Sequence, residues 1–154
     1  MDLNDAKVLV TGGSLGIGKE TARQLVEHGA EVCISARNKE RLQKAAEQIG
    51  ATPIQADVSV EDSVVAMVKQ AREAMNGYNV LINNAAYGGF AKLVDIETEE
   101  FQDMIQTNLV GAMMTGRESA RVFVEQDYGN IINISSSAGK KGFSHGSMYC
   151  ATKF

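Results

Sequence analysis

Short apolar runs alternate along the chain with longer stretches whose apolar residues recur at helical spacing. Ala6–Thr11 (AKVLVT) predicts a buried strand. Glycines follow, and then a helix is predicted over about Ile17–His28, closed by Gly29. Glu31–Ala36 (EVCISA) predicts the second strand, and Asn38 is placed to cap a helix ending near Gly50. Thr52–Ala56 predicts a short third strand. Ser59 with Asp62 predicts a capping-box start to a helix running to Met75. Tyr78–Asn83 (YNVLIN) predicts a fourth strand. Thr98 is expected to cap a short helix, and a longer helix to extend through Asn108 to about Gln126. Gly129–Ser135 (GNIINIS) predicts a fifth strand.

Strand and helix alternating at these lengths call for parallel pairing with right-handed crossovers. The near-continuous apolar strands predict a sheet covered on both faces. The one proline, Pro53, falls at a strand start, where its missing N–H does least harm. The expected fold is a doubly wound, Rossmann-like α/β parallel sheet of five strands in the order 3-2-1-4-5. The 154 residues predict a single domain, 1–154.

Composition narrows the function classes. A net charge of -4 argues against a general role on nucleic acid or on a membrane surface, both of which favour a basic patch. The N-terminus (MDLNDAK) has no apolar signal core, and no apolar run approaches the ~18 residues of a membrane span. Cys33 and Cys150 are far apart and form no metal-ligand spacing, so two free thiols in a reducing compartment are expected. The expected location is cytoplasmic, with no metal site. His28 lies at a helix C-terminus, a favourable dipole position. His145 lies in a glycine-rich loop, either at a substrate entrance or facing solvent.

The chemistry begins at Thr11-Gly12-Gly13-Ser14-Leu15-Gly16-Ile17-Gly18, between the first strand and the first helix. Gly12 allows a tight turn, Gly16 lets backbone approach a pyrophosphate, and Gly18 lets the helix pack closely on the sheet. The helix N-terminus then offers free N–H groups and the positive dipole end to phosphates. Farther on, Tyr149 and Lys153 stand four residues apart, so a helix places both on one face. Asn108 interrupts an otherwise helix-forming stretch, which hints at a special role.

T-G-x-x-x-G-x-G at this turn resembles the short-chain dehydrogenase/reductase family. The other motifs agree with it in order and spacing over the whole chain. Asp57-Val58 matches the family's acidic residue that contacts adenine after the third strand. Asn83-Asn84-Ala85-Ala86 matches its N-N-A-G, with Ala86 in place of the usual glycine. Asn108 matches the helix asparagine, and Ser136, thirteen residues before Tyr149, matches the catalytic serine. Tyr149 and Lys153 match the Y-x-x-x-K. The resemblance assigns Gly12, Ser14, Leu15, Gly16, Ile17, Gly18, Arg37, Asp57, Val58, Asn84, Ala85, Tyr149 and Lys153 to a nicotinamide dinucleotide.

The implied activity is hydride transfer between that cofactor and a carbonyl or alcohol, a small-molecule substrate. Tyr149 exchanges the proton with the substrate oxygen. A phenol titrates near pH 10, and lowering it by about 3 units needs roughly 4 kcal/mol, which a nearby ammonium can supply. Lys153 has that role and holds the ribose. Ser136 orients the substrate oxygen. Asn108 holds a water linking Lys153 to solvent. Cys150 is read as a small packing residue.

Cofactor choice is read at the end of the second strand. An acidic side chain there would hold a ribose 2′-hydroxyl, but the position is Ala36. Arg37 follows, placed to pair with a 2′-phosphate, which favours NADP(H) over NAD(H). Against this, Leu15 stands where many NADP-using relatives carry Arg or Lys.

Family members continue past the residue that ends this chain, Phe154, through two more strands and a substrate-binding loop. The expectation is a C-terminally incomplete sheet, silent in catalysis by itself and prone to self-association at its fifth strand, with a homo-oligomer for the complete enzyme. The alternative function is a non-catalytic nucleotide-binding fragment. An epimerase or dehydratase on the same fold is disfavoured, because those relatives usually carry G-x-x-G-x-x-G.

Overall fold

The computed structural model describes residues 2–154. Its core is a five-stranded parallel sheet in the order β3-β2-β1-β4-β5. The strands are β1 (Lys7–Thr11), β2 (Glu31–Ala36), β3 (Thr52–Gln55), β4 (Val80–Asn83) and β5 (Asn130–Asn133). Six α-helices accompany them: α1 (Gly16–Glu27), α2 (Lys39–Ile49), α3 (Glu61–Ala74), α4 (Thr98–Ile105), α5 (Ala112–Glu125) and α6 (Ser147–Lys153).

The sheet buries both faces because alternate residues of each strand point oppositely. Leu9, Cys33, Ile54 and Leu81 share one core with Val64, Met67, Val68 and Ala71 of α3 and Val122 and Phe123 of α5. Val8, Val10, Val32, Ile34 and Ile82 share the other with Ala22 of α1 and Leu42, Ala45 and Ala46 of α2. This is why the strands read as unbroken apolar runs. Tyr78 brings a polar group into the first core, and its hydroxyl donates to Ser119 Oγ at 2.7 Å. At the sheet edge, β5 is exposed throughout, including Ile131 and Ile132.

Several ends form as their residues predict. Asn38 caps α2, its Oδ1 accepting from Arg41 N at 2.8 Å, and Gly50 ends that helix in the left-handed region at φ 75°. Other ends differ. The capping box expected at Ser59 does not form: α3 begins at Glu61, with Val60 at the cap position and no side-chain cap. Ser59 Oγ donates instead to Asp57 Oδ1 at 2.6 Å, a local bond that competes with capping. Thr98 is the first residue of α4 rather than its cap.

The helix expected to run unbroken through Asn108 is also divided. Between α4 and α5, residues Gln106–Gly111 form a π turn. Contacts from outside the segment hold it. Asn108 is drawn into hydrogen bonds with Tyr87, and Gly111 lies so close to Val58 that a β-carbon would stand 2.8 Å from the Val58 carbonyl oxygen. Such turns recur at functional sites.

Candidate active site

All five parallel strands end on the same side, and a cleft of about 460 Å³ opens there between β1 and β4. This is where the strand order reverses, the usual ligand position in such sheets. One wall is the glycine turn. Gly12 has φ 68°, and a β-carbon there would stand 2.9 Å from Ala85 Cα. Gly18 is equally confined, since a β-carbon would collide with the Gly12 carbonyl and the Asn84 amide. Gly16 has φ 56° and open space where a β-carbon would be. Leu15 at the N-cap makes no side-chain cap bond, so no side chain there occupies the first N–H groups of α1. A turn of this shape, bare backbone at a helix start, fits the phosphates of a dinucleotide.

The turn is stapled to β4 by Thr11. Its Oγ1 accepts from Asn84 N at 3.1 Å and from Ala85 N at 3.0 Å. Asn84 returns the tie, its Nδ2 donating to Thr11 O at 3.0 Å. The other side is stapled to β2, where Gly13 N donates to Ser35 O at 3.0 Å.

Of the residues expected at the cofactor, Gly12, Ser14, Leu15, Ile17, Arg37, Val58, Asn84, Ala85, Tyr149 and Lys153 line this one cleft. Gly16 and Gly18 shape the turn without lining it. Asp57 lies in an adjoining recess of about 370 Å³ that Arg37 also lines, and its Oδ1 accepts from Ser59 N at 2.9 Å. Ala36 lines the cleft beside Arg37, and no carboxylate is among its lining residues.

Tyr149 and Lys153 share one face of α6, the Lys153 Nζ standing 5.9 Å from the Tyr149 ring centroid. Lys153 Nζ also donates to Ile134 O at 3.0 Å, and burial pulls its pKa below the usual lysine range. Ser136 lies just outside the lining. Its Oγ accepts from Ala138 N at 3.2 Å, which leaves its own proton to give. Ser135 lines the cleft, but its hydroxyl donates to Lys153 O at 3.1 Å.

Asn108 is buried, only 7% exposed, and is a joint between three elements. Its Nδ2 donates to Tyr87 O at 2.8 Å and to Thr152 Oγ1 at 3.0 Å, and its Oδ1 accepts from Tyr87 N at 3.0 Å. Both amide hydrogens are therefore used, and one lone pair of Oδ1 is what the side chain has left for a water. Thr152 passes the joint on, its Oγ1 donating to Tyr149 O at 2.9 Å.

Four of these residues were not singled out by the sequence reading. Arg41, in the first turn of α2, also lines the cleft, a second cation four residues beyond Arg37. Thr11 ends a strand just before the glycines, which is a local signal. Thr152 lies inside the Y-x-x-x-K, and Tyr87 follows Asn83-Asn84-Ala85-Ala86. Their partners are distant in sequence, so no spacing rule finds them.

Comparison with known proteins gives a consistent answer. A model of the short chain dehydrogenase family matches residues 6–154. An uncharacterized oxidoreductase of Staphylococcus aureus is 32% identical, over 98% of this chain and 67% of its own. A short chain dehydrogenase from Mycobacterium smegmatis superimposes with a TM-score of 0.94 at 32% identity, covering 99% of this chain and 68% of that one. An actinorhodin polyketide ketoreductase solved with NADPH superimposes at 0.92 with 32% identity, covering 99% and 62%. The chain thus spans about two thirds of the length of these relatives. With the glycine turn, the strand order and the cleft in agreement with this match, the chain belongs to the short chain dehydrogenase family of oxidoreductases.

Proposed function

We propose that the protein is an NADP(H)-dependent oxidoreductase acting on a carbonyl or alcohol, with Tyr149 as the proton donor and acceptor. The observation that carries this is the convergence of the glycine turn, Arg37, Tyr149 and Lys153 on one cleft. Gly12, Ser14, Leu15, Gly16, Ile17 and Gly18 hold the phosphates on bare backbone. Val58, Asn84 and Ala85 bound the adenine and nicotinamide ends, and Asp57 stands beside the adenine in its recess. Arg37, with Arg41, pairs with a 2′-phosphate, and the ketoreductase solved with NADPH supports this preference. Bound there, the cofactor supplies or accepts the hydride.

The chain's own residues do the rest. Tyr149 hydrogen-bonds the substrate oxygen and gives it a proton in reduction, or takes one in oxidation. Lys153, on the same face of α6, holds the cofactor ribose and sets a positive charge beside the Tyr149 ring. Ser136 donates its free proton to the same oxygen. Asn108 acts mainly by position, fixing α6 against the turn around Tyr87. A reducing, cytoplasmic setting suits Cys33 and Cys150, both buried free thiols. Among the described residues no helix is long and apolar enough to cross a membrane. A homo-oligomer completes the proposal, since Leu109 and Met113 present exposed apolar surface on the π turn and α5.

The test is Tyr149→Phe in the full-length enzyme, assayed by NADPH oxidation with ketones and aldehydes. The rate should fall by about 10²–10⁴-fold, as for general acid–base groups, with cofactor affinity little changed. Activity near wild type would exclude Tyr149 as the proton donor.

A further inference from the structure

Three aromatic rings stand in a row that the proposed reaction leaves without a task. Phe90, in the loop after β4, meets Tyr149 edge to face with ring centroids 5.8 Å apart. Phe143, in the loop before α6, is tilted against Phe90 at 5.9 Å. The row therefore begins at a ring that lines the cleft and continues through two that do not. Those two are not core residues, since Phe90 is 64% and Phe143 42% exposed.

Both loops are built to hold this row. Ala91 N donates to His145 O at 3.0 Å, which ties one loop to the other. A β-carbon at Gly88 would press to 3.3 Å on the Tyr149 ring and 3.5 Å on the Phe90 ring. A β-carbon at Gly146 would collide with the Phe143 ring. His145, between Phe143 and Gly146, takes φ 63°, a conformation uncommon for a residue with a side chain. Backbone space is thus given up in both loops where the rings need it.

We infer that Phe90 and Phe143 form the recognition surface for a flat aromatic group on the substrate, so that aryl ketones and aryl aldehydes are the preferred class. This rests on the carbonyl chemistry proposed above. A carbonyl oxygen that reaches the Tyr149 phenol brings its carbon's two substituents up to that ring, and an aryl substituent on the Phe90 side extends the row. In reduction the carbonyl carbon takes hydride from the reduced dinucleotide, and the oxygen takes the Tyr149 proton. The products are the alcohol, the oxidised dinucleotide and the Tyr149 phenolate, which takes a proton back from solvent. Ring quadrupoles favour edge-to-face and offset contacts, which an aryl substituent continues along the row. A saturated ring of the same size fills the space without that electrostatic match.

The experiment compares acetophenone with cyclohexyl methyl ketone on the full-length enzyme with NADPH. The aryl ketone should have the higher kcat/KM. Phe90→Leu should shrink that ratio by about 2- to 10-fold, the range for one aromatic contact. Phe143→Leu should shrink it less. Because Phe143 lies one ring farther out, that variant keeps the test decisive if Phe90→Leu does not fold. Ligand-observed NMR of the same two ketones gives a readout independent of turnover. Equal kcat/KM for the two ketones, a ratio unmoved by both variants, or preference for a long aliphatic ketone such as 2-octanone would overturn the inference. If neither ketone turns over but acetophenone binds in a Phe90- or Phe143-dependent way, the aromatic surface stands and the oxidoreductase proposal fails. If neither is turned over nor bound, both fail.

Discussion

Arg37 and Arg41 line the cleft, and neither forms an ion pair among the described residues. Two guanidinium groups at one end of a cleft with no carboxylate among its lining residues make that end attractive to an anion. Replacing Arg37 with Gln and Ala36 with Asp should invert this. NADPH affinity should fall by about 10- to 100-fold, the loss of one charge-assisted hydrogen bond, and NADH should become the tighter ligand. Fluorescence titration of both cofactors checks it, and tighter NADH binding by the wild-type protein would remove the premise. Arg37 was legible in sequence because the strand end before it is a defined place. Arg41 was not, because its nearness to the cleft depends on how α2 sits on the sheet.

Among the elements, the π turn and α6 depend on each other. α6 is seven residues long, too short to persist by its own hydrogen bonds. Thr152 fastens it to Asn108, and through Asn108 to Tyr87. Thr152→Val keeps the shape and removes the hydroxyl, stranding a buried Asn108 N–H at a cost of about 1–3 kcal/mol. Thermal unfolding should shift down, and kcat should fall more than the KM for cofactor changes. Thr152→Ser, which keeps the hydroxyl, should recover both. A fall in stability with kcat intact would reduce Thr152 to a packing role. The sequence showed helix on both sides of Asn108 and an asparagine out of place, but not the π turn. Helical spacing on the two sides is the same with or without it, and the bonds that hold Asn108 come from residues 21 and 44 positions away. The Ser59 cap failed for a related reason: Asp57 offered that hydroxyl a nearer partner.

For the molecule as a whole, strand order was legible because alternation of strand and helix permits few right-handed parallel arrangements. The serine was harder. Spacing to Tyr149 selected Ser136, whereas Ser135 is the one that lines the cleft, with its proton already committed to Lys153 O. Which of two adjacent serines has a free proton is a matter of tertiary hydrogen bonding. A ligand bridging β1, β2 and β4 should stabilise the entire sheet. At 100 times its dissociation constant, NADPH should add about 2.7 kcal/mol, raising the Tm by about 5–10 °C. NADH at the same concentration should raise it less. Differential scanning fluorimetry measures both, and an equal shift would argue against selection by Arg37.

The Thr11 staple has a consequence for the order in which the chain becomes competent. Thr11 and Asn84 are 73 residues apart, so the two walls of the cleft meet only after a long loop has closed. The glycine turn and its first helix can form early from local contacts, yet half a binding site has nothing to grip with. Contacts of such separation are slow to form. On dilution from denaturant, far-UV circular dichroism should therefore recover before the fluorescence of bound NADPH, the interval marking the arrival of β4 beside β1. Coincident recovery would mean that β4 reaches β1 in the same cooperative step that forms the helices. A lag would make cofactor capture a proofreading step, available only to chains that have already paired their distant strands.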